Sequence, residues 1–163
     1  MGFPYCPKCR KNLVQQSPRH GWIEALLSIF SIYPFRCQLC THRFLAFEWW
    51  WRRFVSYYGR REYVRIPVRF QLTFSGKQVS SEGTVVNLSR QGCMIETHAP
   101  IPYGELLWLR VHEPGGQPLF EIEAAVVRCI VEKSVGMEFV RIRESEMKRL
   151  ERVIVNLCTG RHI

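Results

Sequence analysis

From Val64 onward, large apolar residues alternate with others over eleven positions. Val64, Ile66, Val68, Phe70, Leu72 and Phe74 stand between Arg65, Pro67, Arg69, Gln71 and Thr73. A period of two is that of a strand with one buried face. "SGK" turns it, and five more strand-like runs follow: "GTVVNL", "GCMIET", "ELLWLRVH", "LFEIEAAVVRCIV" and "VGMEFV". The stretches between them ("SRQ", "HAPIPYG", "EPGGQP", "EKS") carry turn residues. Six short strands with turns between them predict a mainly β fold, an antiparallel barrel or sandwich. Pro67 cannot donate to a ladder, which favours an edge position for its strand, at least locally. The pattern then changes to a helical one over about residues 144–158, where Met147, Leu150, Val153, Ile154 and Leu157 form one stripe. Glu144 and Glu146 come early in it and Lys148, Arg149 and Arg152 later, as the helix dipole prefers.

The first 50 residues follow another rule. Four cysteines stand in two C-x-x-C pairs, Cys6/Cys9 and Cys37/Cys40, with 27 residues between the pairs. "HGWIEALLSIF" places Trp22, Ile23, Leu26, Leu27 and Phe30 at helical spacing, and "YPFRC" and "RFLAFEWWW" read as a hairpin around the second pair. Each C-x-x-C turn presents two thiolates from one knuckle, and two knuckles complete a tetrahedral zinc site. The gap exceeds the usual 15–20 residues, and the helix within it takes up the excess. A metal also meets a stability need, because about 50 residues make too little core alone. A redox pair or two disulfides are the other readings of the same cysteines, and His42 could replace one thiol. The region resembles bacterial zinc ribbons. The resemblance implies structural zinc and specifies no partner.

Charge sharpens the division. The net charge is +9, and residues 1–69 hold 12 Lys/Arg against 3 Glu while residues 70–163 hold 11 of each. A polyanion-binding function therefore belongs to the first part or its border. Aspartate is absent. Cys93, Cys129 and Cys158 sit among apolar neighbours and read as buried thiols. With no signal-peptide pattern and no run of about 18 apolar residues, the cysteines fit a reducing cytoplasm. "FEWWWRRF" has two readings. It is a buried aromatic strand, or a peripheral membrane contact at the inner face in which Arg52 and Arg53 attract anionic lipid.

Three arginines, Arg60, Arg61 and Arg65, stand at the mouth of the first alternating strand, and about twenty residues on comes "NLSRQGC". Here the chain resembles the PilZ domain family, which is marked by R-x-x-x-R followed by [D/N]-x-S-x-x-G on a six-stranded antiparallel barrel with a C-terminal helix. Arg61 and Arg65 match the first motif; Asn87, Ser89 and Gly92 match the second. The resemblance covers about residues 58–158 and implies binding of cyclic di-GMP, a bacterial second messenger. It implies too that Arg60 accompanies a stacked pair of ligands. The residue chemistry suits that ligand: arginine forks onto phosphate or guanine O6/N7 and stacks on bases. Asn87 can meet a guanine edge, Ser89 a phosphate or base, and Gly92 permits positive φ and close backbone approach. Many relatives carry Asp at position 87, a stronger acceptor for guanine, so the asparagine bears on affinity.

The expected architecture is a zinc ribbon over 1–50, a linker over 51–59 and a PilZ-like barrel with its helix over 60–160. No Ser/His/acid constellation or phosphate-cradling glycine loop occurs, and His98 and His112 lack partnering motifs, so a non-enzyme is expected. The expected function is a sensor: cyclic di-GMP clamps the Arg60–Arg65 arm against the Asn87–Gly92 turn, reorients the ribbon and alters binding of a downstream protein. The competing readings are a ligand-free interaction scaffold and nucleic-acid binding through the basic ribbon.

Overall fold

In the computed structural model, which describes residues 5–11, 13–47, 63–113 and 115–159, the chain folds as two units, residues 1–64 and 65–163. The first carries strand β1 (Val14–Gln16), helix α1 (Gly21–Leu27) continued by a 3₁₀ turn (Ser28–Phe30), and strands β2 (Ile32–Cys37) and β3 (Arg43–Phe47). The strands form one antiparallel sheet in the order β1-β2-β3. The expected hairpin is β2 with β3; residues 48–54 of the aromatic stretch, with Arg52 and Arg53, lie outside the described residues. β1 had no legible signal, because three residues show no period. Among the described residues, Tyr33, Phe35, Leu39 and Tyr63 are the unit's large buried side chains.

α1 is held by its polar side. Glu24 takes both guanidinium nitrogens of Arg43 on β3, at 2.6 and 2.8 Å, and the His20 backbone N–H at 2.6 Å. Those hydrogen bonds from Arg43, more than the opposing burial, bring the Glu24 carboxyl down to about 2. A group depressed in the folded state contributes stability above its unfolded value and loses it as pH falls through the folded one. Acid titration is therefore expected to loosen this unit between about pH 4.5 and 2, with Glu24→Gln removing that step. After solvent screening the effect is about 1–2 kcal/mol. An unchanged acid midpoint of amide exchange in β3 in the variant would count against it.

The second unit is a closed barrel in the order β4-β5-β6-β9-β8-β7. Its strands are β4 (Ile66–Ser75), β5 (Ser80–Ser89), β6 (Gly92–Glu96), β7 (Leu106–His112), β8 (Pro118–Val131) and β9 (Ser134–Arg141). All neighbours are antiparallel. The alternation of β4 becomes burial only in its second half: Phe70, Leu72 and Phe74 are buried, whereas Val64 is 44% exposed. Pro67 pairs with Asn87 of β5, and β7 joins β4 only from Gln71 onward. Its missing N–H thus falls where β4 has one neighbour. Leu88, Ile95, Leu107, Leu109, Phe120 and Ile122 fill the interior, each stabilising by about 1.5–3 kcal/mol on burial.

Helix α2 (Glu144–Thr159) packs on β8 and β4. Leu150, Val153 and Ile154 of its stripe are buried, and the Glu146 carboxylate accepts the Glu121 N–H of β8 at 2.9 Å. The three scattered cysteines part company. Cys93 is buried, Cys129 is half-buried, and Cys158 is exposed. The expectation of three buried thiols is corrected at Cys158: the buried stripe of α2 ends at Ile154, one turn earlier.

Candidate functional site

Two sites are built by separate units. In the first, both C-x-x-C turns adopt the same backbone. The N–H of Cys6 donates to the Lys11 carbonyl at 2.9 Å, and that of Cys37 to the His42 carbonyl at 2.9 Å. The residue after each second cysteine, Arg10 (φ 57°) or Thr41 (φ 61°), is left-handed. The repeat brings Cys6 Sγ to 3.4 Å from Cys40 Sγ and Cys9 Sγ to 3.5 Å from Cys37 Sγ. All four sulfurs lie within 4.8 Å of one another. A disulfide needs about 2 Å, so these are four thiols, converging from two knuckles.

Tetrahedral zinc at about 2.3 Å from each sulfur asks for sulfurs in this range, and the donor set is soft and closed. Burial opposes the Cys6 thiolate, yet backbone N–H groups of Cys9 and Lys8 and the Cys40 thiol outweigh it and hold the group at about 7. Burial pushes Cys37 up to about 12 and Cys40 upward as well. His42 stacks on Phe44 instead, with ring centroids 6.2 Å apart, and it is not part of the cluster.

The second site is the bend between β5 and β6. The first pairs of β4 with β5 are Ile66↔Leu88 and Pro67↔Asn87, so Arg65 stands one residue before the start of β4, where that strand meets the end of β5. Arg65 is exposed. Burial pushes the Cys93 thiol up to about 12, and the Arg65 charge acts on it in the opposite sense. Asn87, Ser89 and Gly92 thus gather at the end of β5 and the start of β6, and Arg65 immediately precedes the strand that pairs with Asn87 and Leu88. Arg60 and Arg61 lie outside the described residues.

Each member of the bend has a distinct setting. Asn87 Oδ1 is buried and has no hydrogen-bond partner among the described residues. Ser89 is buried, and its hydroxyl donates to the Gly92 carbonyl at 3.0 Å, leaving its oxygen to accept only. Gly92 is not among the residues of positive φ. Its need for glycine is packing, since a Cβ there would overlap the Met137 carbonyl of β9. Gly92→Ala is accordingly expected to lower barrel stability by about 1–3 kcal/mol, read as a lower midpoint in denaturant; an unchanged midpoint would refute this packing role.

Arg90, inside the motif, was not singled out from sequence. Its guanidinium Nε and Nη2 reach Glu151 Oε1 of α2 at 3.3 and 3.1 Å. The Gln91 carbonyl accepts the Phe139 N–H of β9 at 2.8 Å. The bend is therefore pinned to both β9 and α2. No local signal marks Arg90, because its partner lies 61 residues away.

The arrangement has a counterpart among known proteins: the family model for the PilZ domain matches residues 59–156. The chain belongs to the PilZ domain family. This PilZ protein matches no curated protein. Among solved structures it resembles the Bacillus subtilis inhibitor of motility, at 17% identity and a TM-score of 0.52, over 81% of this chain and 70% of that one. It also resembles the PilZ domain of CeSA from a cellulose-synthesizing bacterium, at 14% identity and a TM-score of 0.47, over 58% of this chain and 97% of that one. At 17% identity the likeness to the motility inhibitor is one of fold alone. Mainly β architecture, six-stranded barrel, C-terminal helix and four-cysteine cluster agree with the sequence reading. Among the described residues no helix is long and apolar enough to cross a membrane.

Proposed function

We propose that this PilZ protein is a non-enzymatic cyclic di-GMP sensor with a structural zinc ribbon. The observation that carries the reading is the β4–β5 register, which supports Arg65 and the Asn87–Gly92 bend acting on one ligand. Arginine forks suit the phosphates and the guanine Hoogsteen edge. The unpartnered Asn87 Oδ1 suits a guanine N–H, which would relieve the cost of a buried acceptor without a donor. Arg60 and Arg61 are assigned to the same ligand from the motif. Cys6, Cys9, Cys37 and Cys40 hold zinc, which fixes the ribbon and takes no part in chemistry.

The output follows from where the arginines stand in the chain. Arg60 and Arg61 stand six and five residues before the first barrel strand in the chain, so a ligand that draws them onto the bend alters the protein-binding surface presented to a downstream partner. Calorimetric titration with cyclic di-GMP of the wild type and of the Arg61→Ala/Arg65→Ala variant tests the reading. Saturable binding that the variant loses is expected. Equal binding by both defeats the site, and no binding by the wild type defeats the ligand.

A further inference from the structure

The amphipathic pattern of α1 and the following 3₁₀ turn is inverted. The side turned to the ribbon carries Glu24, Leu27 and Ser28, none of them exposed, with Glu24 on Arg43 and Ser28 Oγ accepting from Arg19 at 3.1 Å. The side turned outward carries Trp22 (73% exposed), Ile23 (57%), Leu26 (50%), Ile29 (73%) and Phe30 (69%). Helices of small domains bury the apolar stripe and wet the polar one. Here the two-pronged Glu24–Arg43 pair, at 2.6 and 2.8 Å, fixes the opposite orientation, so rotation of the helix is not available to hide the stripe. Five large apolar side chains on ten residues are more than the scattered exposed residues normal for a protein surface.

The charge of the same unit narrows the occupant. Residues 1–47 hold six Lys/Arg and one Glu, a net of +5, and that glutamate is already taken by Arg43. Lys8, Arg10, Lys11 and Arg19 are exposed. Four thiolates on a divalent ion would subtract two charges and leave the unit cationic. A nucleic acid would use the cations and leave the apolar stripe wet. An anionic bilayer uses both: apolar side chains enter the acyl boundary, tryptophan settles at the interface and the cations meet the headgroups.

We propose that the outward apolar face of α1 and its 3₁₀ turn seats on an anionic lipid bilayer, with Lys8, Arg10, Lys11 and Arg19 supplying the electrostatic half of the contact. The inference is independent of the nucleotide reading. It concerns residues other than the aromatic stretch at 47–54.

Co-sedimentation of the full chain with vesicles tests it. The wild type is expected to sediment with vesicles of phosphatidylglycerol and phosphatidylcholine and to stay in solution with phosphatidylcholine alone, since neither signal suffices by itself. Leu26→Glu with Ile29→Glu is expected to cut the bound fraction at least about tenfold, with the four-cysteine site still loaded with metal as the check on folding. Should that pair lose the metal, Leu26→Gln with Ile29→Gln serves in its place, and Lys8→Gln with Lys11→Gln must weaken binding as well. Three results overturn the proposal: no sedimentation of the wild type, unchanged sedimentation of both apolar pairs, or a dimer that these substitutions dissolve without any vesicle binding. The last would make a second copy of this chain the occupant.

Discussion

A protein carrying Arg61→Ala and Arg65→Ala is expected to bind cyclic di-GMP about a hundredfold to ten-thousandfold more weakly than the wild type. Hydrogen bonds to charged groups contribute about 1.5–3 kcal/mol each, and two guanidinium forks are removed together. Arg65 stands just before β4, exposed and without an ion-pair partner among the described residues, so its loss costs the barrel little. The thermal midpoint should stay close to that of the wild type, as for surface substitutions within about 0.5 kcal/mol. Arg65→Lys separates charge from shape. It keeps the cation but loses the planar fork, and an intermediate loss is expected. If Arg65→Lys binds as the wild type does, bidentate recognition at this position is refuted. Calorimetry gives both affinity and stoichiometry, and the latter reads out whether Arg60 accompanies one ligand or a stacked pair.

Stripping the metal, or replacing Cys37 and Cys40 by serine, is expected to unfold the first unit and spare the second. The ribbon's sheet has strands of three, six and five residues, and its helix buries none of its residues. Among the described residues Tyr33, Phe35, Leu39 and Tyr63 are the large buried side chains of the unit, a small core against the ordering of some 40 residues. Structural zinc contributes apparent binding energies of about 10–16 kcal/mol in small fingers, and zinc held by the four cysteines would supply energy of that kind to folding here. The purified protein should carry one zinc per chain. Amide exchange in β2 and β3 should rise to that of an open chain on chelation, while β5, β6 and β9 stay protected. Protection of β2 and β3 that survives full metal removal would overturn the claim.

Much of this molecule was legible in one dimension because the governing periods are short. The alternation from Ile66 to Phe74 announced β4, and the stripe Leu150–Ile154 announced α2, since burial of one face selects residues at spacings of two or of three and four. The C-x-x-C pairs announced their own convergence, because a knuckle is a local turn and two of them make a four-thiol donor set. The R-x-x-x-R and N-x-S-x-x-G motifs were visible as patterns, with the bend lying inside one turn. β1 escaped for want of length. Gly92 was read as permitting positive φ and close backbone approach; it has no positive φ, and the backbone that approaches it is the Met137 carbonyl on a strand more than forty residues away.

Sequence alone therefore determined the barrel's strands, its closing helix, the four thiols and the family, all of them set by contacts among near neighbours or by residue type. Tertiary structure decided that the strand following Arg65 pairs with Leu88 and Asn87, that Arg90 ties the bend to Glu151, that Cys158 is exposed and that α1 turns its apolar side outward. Each of these depends on which distant strand or helix lies alongside. A period along the chain says that a face exists, and only the packing partner, Arg43 in the case of Glu24, says which way it points.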